Sequence, residues 1–114
     1  MEAFMKLVKC IVRTHKADET TDALRQIDVS GVVVSQVKGR GRQTNPSVSY
    51  RCIEYRPRYR AQMMIDVVVP DHLVDEVVRV VMTTAGTGES GDGRVFVIPV
   101  EEAYSIRSCA WRPD

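Results

Sequence analysis

The chain has few cysteines, almost no net charge and no long apolar run, and each shortage excludes a class of protein. Its three cysteines form no CxxC pair, so neither a zinc site nor a disulfide framework is indicated. A formal net charge of +1 argues against a general nucleic-acid binder. No apolar stretch approaches the roughly 18 residues of a membrane span, and the first residues lack the layout of a signal peptide. We therefore expect a cytoplasmic protein that is not embedded in a membrane.

The length of the chain and the positions of its cysteines indicate how many domains it has and which thiols are buried. At 114 residues, the sequence predicts a single domain over 1–114. Cys10 lies in an apolar strand pattern and is expected to be a buried small hydrophobe. Cys52 and Cys109 are expected to be accessible thiols in a reducing compartment.

Two apolar periodicities alternate along the sequence. Some segments alternate apolar and polar residues, as strands do, and others have apolar residues at i, i+3 and i+4, as helices do. Along the chain these segments come in the order strand, helix, strand, long loop, strand, helix, strand. We expect Asp18 or Thr20 to cap the first helix, and Asp71 to be the N-cap or a first-turn acid of the second. A short extra strand is expected near Tyr104. The predicted elements are strands 7–13, 32–37, 60–69 and 95–100 and helices 17–27 and 71–82.

This order is that of a split βαβ pair, so we predict an α+β, ferredoxin-like fold. Both helices would cover one face of an antiparallel sheet and leave the other face bare. The strand that holds Met63, Ile65, Val67 and Val69 on one side carries Met64, Asp66 and Val68 on the other. Self-association through the bare face is therefore expected.

The connection from about residue 39 to residue 59 has no clear periodicity. A loop of that length in a small domain is usually functional. It is rich in arginine and tyrosine and has one acid, Glu54.

A glycine-rich turn stands between the second helical pattern and the last strand. In Thr87–Arg94, Gly91 and Gly93 allow positive φ, and successive backbone N–H groups can form an anion nest. Arg94 adds a guanidinium whose fork suits phosphate. The segment is typical either of a phosphate-cradling loop or of an ordinary helix-to-strand turn.

Four ordered motifs resemble those of the PII (GlnB/GlnK-like) signal-transduction proteins. Val37–Gln43 resembles their VKGFGRQ, and Tyr50–Tyr55 resembles YRGAEY. Val67–Asp71 resembles IVVPDD, and Thr87–Val97 resembles TGKIGDGKIFV. The resemblance runs from about Met5 to Ser108.

This resemblance implies a homotrimer that binds ATP, ADP or AMP in three clefts between subunits and signals to a target protein through its long loop. The sequence shows no Ser/His/Asp set and no nucleophile motif, so we expect no enzymatic activity and no catalytic cofactor. Tyr50 aligns with a tyrosine that is nucleotidylated in many members, and Gln43 with a glutamine that helps ligate Mg²⁺ when 2-oxoglutarate binds. The nucleotide-binding positions that the resemblance implies are Gly39, Gly41, Arg42, Gln43, Gly91, Asp92, Gly93, Arg94 and Arg107.

Several departures from the family pattern fall at these sites. Gln62 stands where the family has the lysine that pairs with 2-oxoglutarate, and Ser105 replaces one of two C-terminal arginines. Losing a charge-assisted partner typically costs about 1.5–3 kcal/mol, or roughly ten- to a hundred-fold in affinity. We therefore expect nucleotide binding to be retained, with Gln43 and Gln62 as candidate effector contacts and 2-oxoglutarate binding weakened.

Other functions stay open at this point. A PII-like sensor of inorganic carbon would gather bicarbonate at the arginine-rich loop, whereas a structural or metal-tolerance trimer resembling CutA would bind no nucleotide. An RNA-binding ferredoxin-like module would need aromatic residues on its central strands. The candidate strands carry Val, Ile and Met instead, so no nucleic-acid partner is expected.

Overall fold

A four-stranded antiparallel sheet and two helices form the body of the protein. The computed structural model describes residues 4–41, 48–50, 53–55, 58–107 and 110–111. The sheet has the strand order β2-β5-β1-β6, and its strands are β1 (Met5–Arg13), β2 (Val33–Gly39), β5 (Arg60–Pro70) and β6 (Gly93–Val100). The helices are α1 (Ala17–Leu24) and α2 (Val74–Ala85). This topology is the ferredoxin-like arrangement that the element order predicts.

Two short strand pairs complete the described structure. β3 (Val48–Tyr50) pairs with β4 (Ile53–Tyr55), and β7 (Tyr104–Ser105) pairs with β8 (Ala110–Trp111). The hairpin of β3 and β4 was not predicted, because three-residue strands are too short to show a period. The expected strand near Tyr104 is present. Among the described residues, no helix is long and apolar enough to cross a membrane.

The core lies between the helices and one face of the sheet. Val8, Cys10 and Val12 of β1 are buried there, and the facing residues of β5 are Val67, Ile65 and Met63. Leu24 of α1 and the α2 residues Val77 and Val81 complete this cluster. The alternation predicted for β5 is confirmed, since Ile65, Val67 and Val69 are buried and their neighbours are only partly covered.

The opposite face of the sheet carries no helix. Residues that alternate with the core positions lie on it, including Ile11, Met64, Arg94 and Phe96. Lys9 and Asp66 face each other across β1 and β5 on this side, with Lys9 Nζ 3.2 Å from an Asp66 carboxylate oxygen. We call this surface the open face.

The cap predicted for α1 is wrong, whereas Asp71 lies in the first helical turn before α2, which is one of the two places expected for it. Lys16 occupies the N-cap position of α1, and a single turn of 3₁₀ helix at Asp71–Leu73 precedes α2. Neither helix has a side-chain cap; Asp71 instead accepts a hydrogen bond from Lys6 Nζ at 2.9 Å. Acids in both first turns, such as Asp18 and Asp75, still favour the positive end of each helix dipole.

The burial of Cys10 generates a test of the packing. Burial, with a smaller contribution from the charge of Asp66, raises the pKa of the Cys10 thiol to about 11. A protonated, inaccessible thiol reacts slowly with alkylating agents. We expect N-ethylmaleimide at pH 7.5 to spare Cys10 in the folded protein and to modify it in urea, as read by peptide mass spectrometry.

Cys52 and Cys109 lie outside the described residues and serve as internal comparisons, since the sequence predicts accessible thiols at both. Labelling of Cys10 in the folded protein at the rate seen in urea would contradict the packing of β1.

Candidate functional site

The turn between α2 and β6 is shaped by glycines in a left-handed conformation. Gly88, Gly91 and Gly93 have φ values of 85°, 95° and 116°. Such values are unfavourable for residues with a Cβ atom. A Cβ at Gly93 would also overlap the carbonyl oxygen of Ile11 on β1. The turn therefore passes against the central strands of the sheet, which a side chain at this position would prevent.

The carboxylate of Asp92 holds this turn together. One oxygen accepts hydrogen bonds from the backbone N–H groups of Thr87 and Gly88, at 2.8 and 3.0 Å. The other accepts from the Thr87 hydroxyl and from Arg13 Nε, the latter at 2.9 Å. The hydrogen bonds from Thr87 and Arg13 hold the pKa of Asp92 well below its ordinary range. The acid is therefore ionised at physiological pH.

Arg13 fastens the same turn to β1. Its Nη2 donates to the carbonyl oxygen of Ser90 at 2.8 Å, while its Nε pairs with Asp92. A guanidinium has a fixed fork of donors, so two bonds to two parts of the turn restrict its position strongly. The end of the open face and the glycine turn therefore form one unit.

A cleft of about 360 Å³ lies beside this unit, at one end of the open face. Gly91, Gly93 and Arg94 line the cleft from the glycine turn and the start of β6. Residues at or near the end of β2 and the start of β5 line it as well. Among the described residues that line it there are three arginines and no carboxylate. The lining residues are Ile11, Gly39, Arg40, Gly41, Arg60, Gln62, Gly91, Gly93, Arg94 and Phe96.

Most of the site residues predicted from the sequence meet at this cleft. Gly39 and Gly41 line it from the end of β2, and Gln62 lines it from β5. The Gln62 amide oxygen lies where a Cβ at position 39 would be, so glycine is required there for the present packing. The predicted residues that line the cleft are Gly39, Gly41, Gln62, Gly91, Gly93 and Arg94.

The other predicted residues lie elsewhere. Asp92 is next to the cleft, and its carboxylate is directed into the turn. Arg107 is exposed in the turn after β7 and is not among the described residues that line the cleft. Arg42 and Gln43 lie outside the described residues. Tyr50 is part of β3, and its side chain is likewise outside the description.

Arg13 and Arg60 are site residues that the sequence did not reveal. The sequence gives no indication of a partner for Arg13, the last residue of β1, because Asp92 is remote in the chain. A signal for Arg60 was present, since it is two residues before Gln62 and the period of a strand places both on one face. Within the part of the chain that the structure describes, no three His, Cys, Asp or Glu residues are grouped as metal ligands.

Comparison of the chain with known proteins shows the family to which it belongs. The sequence model of nitrogen regulatory protein P-II matches residues 5–109. The chain belongs to the P-II family. Nitrogen regulatory protein P-II of Haemophilus influenzae is 38% identical over 104 residues, which cover 91% of this chain and 93% of the relative. The P-II protein of Nostoc punctiforme is 40% identical over the same shares of both chains.

A solved structure of a P-II protein has the same fold. The crystal structure of Arabidopsis thaliana PII bound to citrate superposes with a TM-score of 0.78 at 27% sequence identity. It covers 97% of this chain and 88% of its own. These comparisons confirm the family resemblance that the four motifs indicated, which is to the nitrogen regulatory proteins P-II.

The hydrogen bonds that the Asp92 carboxylate accepts from Thr87, Gly88 and Arg13, here called the Asp92 network, lead to a prediction for the Asp92→Asn variant. An amide cannot carry the charge that pairs with Arg13, so we expect the thermal midpoint of the variant to lie below that of the wild type at pH 7. Because the folded-state pKa of Asp92 is depressed, its stabilisation is present above the ordinary value of 3.8 and is lost as the pH falls.

Thermal unfolding from pH 7 to pH 2.5 therefore checks the network. The difference between wild type and variant should narrow as the pH falls below about 4. Glu89→Gln, which removes an exposed acid from the same turn, is the control and should lack this pattern. A gap between wild type and Asp92→Asn that is independent of pH would contradict the assigned network.

Proposed function

We propose that this P-II protein binds adenine nucleotides in the cleft beside the glycine turn and reports their state to a target protein. The observation that carries the proposal is the cleft's composition. The turn with Gly91 and Gly93, the segment Gly39–Gly41 and three arginines meet there, and no described carboxylate opposes them. Clustered guanidinium donors next to glycine backbone suit phosphate oxygens.

Within this proposal, the turn contacts the phosphates. Arg94 stands next to Gly93 on β6, lines the cleft and is exposed. Asp92 then serves the site by holding the turn through Thr87, Gly88 and Arg13. Arg42 and Gln43, which follow Gly41 in sequence, are proposed as further contacts, with Gln43 as a ligand of Mg²⁺ if 2-oxoglutarate binds.

The open face supports a trimer. Phe96 is 42% exposed and Ile98 is 39% exposed in the single chain, on strand β6 at the edge of the sheet. Large apolar side chains left exposed on one face are typical of an interface. In the proposed homotrimer the clefts lie between subunits, and Arg107 reaches the phosphates of a nucleotide held by its neighbour.

Signalling in this proposal runs through the connection between β2 and β5. Gly39 is the last residue of β2, and Arg40 and Gly41 follow it. All three line the cleft, so a ligand there contacts the first residues of this connection. A ligand that binds one arrangement of the connection more tightly shifts its population, which is the physical requirement for a signal. Tyr50, within β3, stays the candidate for covalent modification.

The second effector is proposed to differ from that of conventional members. Gln62 is neutral, and its amide oxygen is packed against Gly39. Gln62 itself offers no charge to a 2-oxoglutarate carboxylate at the position that the resemblance assigns to this contact, so we propose weakened 2-oxoglutarate sensing. The unopposed arginines favour a second candidate function, that of an inorganic-carbon sensor in which bicarbonate binds with the nucleotide. A CutA-like structural trimer that binds no nucleotide would not account for three arginines in one cleft.

Calorimetric titration of the full chain with ATP, ADP and AMP tests the proposed function. Each titration is repeated with Mg²⁺ plus 2-oxoglutarate and with bicarbonate. Binding of nucleotide that changes with bicarbonate but not with 2-oxoglutarate supports the carbon-linked function. A clear 2-oxoglutarate effect would restore the conventional effector, and absence of nucleotide binding would overturn the proposal.

The Arg94→Ala variant should weaken the binding of ADP. Loss of a hydrogen bond to a charged group costs about 1.5–3 kcal/mol, which corresponds to roughly ten- to a hundred-fold in affinity. Arg79→Ala removes an exposed arginine from α2 and is the matched control, for which we expect a change below about twofold. Equal affinities of the two variants would show that the turn does not hold the phosphates.

A further inference from the structure

Arg60 occupies an unusual position at the start of β5. It pairs with Gly39 of β2 in the sheet register and is half-buried. Its guanidinium occupies the place that a Cβ atom at Gly91 would fill. The absence of a side chain at position 91 is therefore what lets this cation reach the glycine turn.

A comparison with Arg13 shows what Arg60 lacks. Both guanidinium groups approach Gly91, and Arg13 Nη2 is 3.4 Å from the same Cβ position. Arg13 is neutralised by Asp92 and also bonds the Ser90 carbonyl. For Arg60, no carboxylate among the described side chains lies within 4.0 Å.

This difference has an electrostatic consequence. Partial burial removes water from a charge and so favours an opposite charge nearby. Arg40 and Arg94 line the same cleft, and neither has a carboxylate within 4.0 Å among the described residues. Three cations that share a cleft without a counter-charge repel one another, and a bound anion relieves this repulsion.

The neighbouring groups narrow the kind of anion. Gln62 lies two residues along β5 and contributes a neutral amide, and the turn contributes the backbone around Gly91. Guanidinium groups bind two oxygens of one group with parallel N–H donors. Several such forks around a small volume suit a compact group with three or four oxygens better than a long dicarboxylate.

We propose that Arg60 is the centre of an oxyanion subsite, formed with Arg40 and Arg94, that holds a phosphate-like group. The group is either the terminal phosphate of a bound nucleoside di- or triphosphate or a free oxyanion of the same kind. The first source rests on the proposed function, whereas the second does not. In the first case Arg60 sets the preference between nucleotides of different phosphate length.

Arg60→Gln tests the subsite, with Arg79→Gln on α2 as the control that removes the same charge far from the cleft. The affinities of both variants and of the wild type for ADP and AMP are measured by calorimetry at constant ionic strength. If the subsite holds a terminal phosphate, Arg60→Gln should lose at least tenfold in affinity for ADP and less than threefold for AMP. Arg60→Lys should recover part of the loss, because lysine keeps the charge without the fork.

A second arm examines the free oxyanion. Inorganic phosphate is titrated into nucleotide-free protein, and the rise in thermal midpoint is recorded with chloride as the ionic-strength match. If the subsite holds a free oxyanion, the wild type and Arg79→Gln should show the phosphate-specific rise and Arg60→Gln should lose it.

The two arms separate the possible failures. If the wild type binds no nucleotide but shows an Arg60-dependent response to phosphate, the proposed function fails and the subsite stands. If nucleotide binds but Arg60→Gln behaves as Arg79→Gln in both arms, the subsite is overturned and the proposed function stands.

Discussion

The structure of the site depends on the close contact of Gly93 with the carbonyl of Ile11 on β1 and on one carboxylate that fixes the adjoining turn. No side chain fits at Gly93 against Ile11, and Asp92 collects the hydrogen bonds of Thr87, Gly88 and Arg13. Because Arg13 belongs to the sheet, the turn is held relative to the strands that form the cleft. Rigidity of this kind lowers the entropy that a bound ligand must lose.

The distribution of charge decides what such a cleft binds. Arg13 carries positive charge that the fold itself uses, whereas Arg60, Arg40 and Arg94 line the cleft without a described acidic partner. Gln62 adds no charge to this lining. The positive charge of the cleft comes from Arg60 of β5, Arg94 of β6 and Arg40 after β2, and our proposal of a different effector rests on this arrangement.

Much of the fold was predictable because it rests on periodicity. The alternation of Ile65, Val67 and Val69 indicates a strand with one buried face, and the burial of these residues confirms it. The cap predicted for α1 at Asp18 or Thr20 failed because the chain enters this helix through a 3₁₀ turn at Thr14–Lys16, so that both residues lie inside the helix. Arg13 was missed for a related reason: its partners Ser90 and Asp92 lie in a turn that is remote in sequence and that the fold brings beside the end of β1. Arg60 was missed although its spacing from Gln62 places both on one face of β5.

A crystal structure of the protein with ADP would show directly whether the cleft holds a nucleotide. We expect the phosphates to lie between the turn that contains Gly91 and the segment that contains Gly39, within hydrogen-bond distance of Arg94. ADP bound with its phosphates away from both segments, or a cleft left empty at saturating ADP, would contradict this expectation.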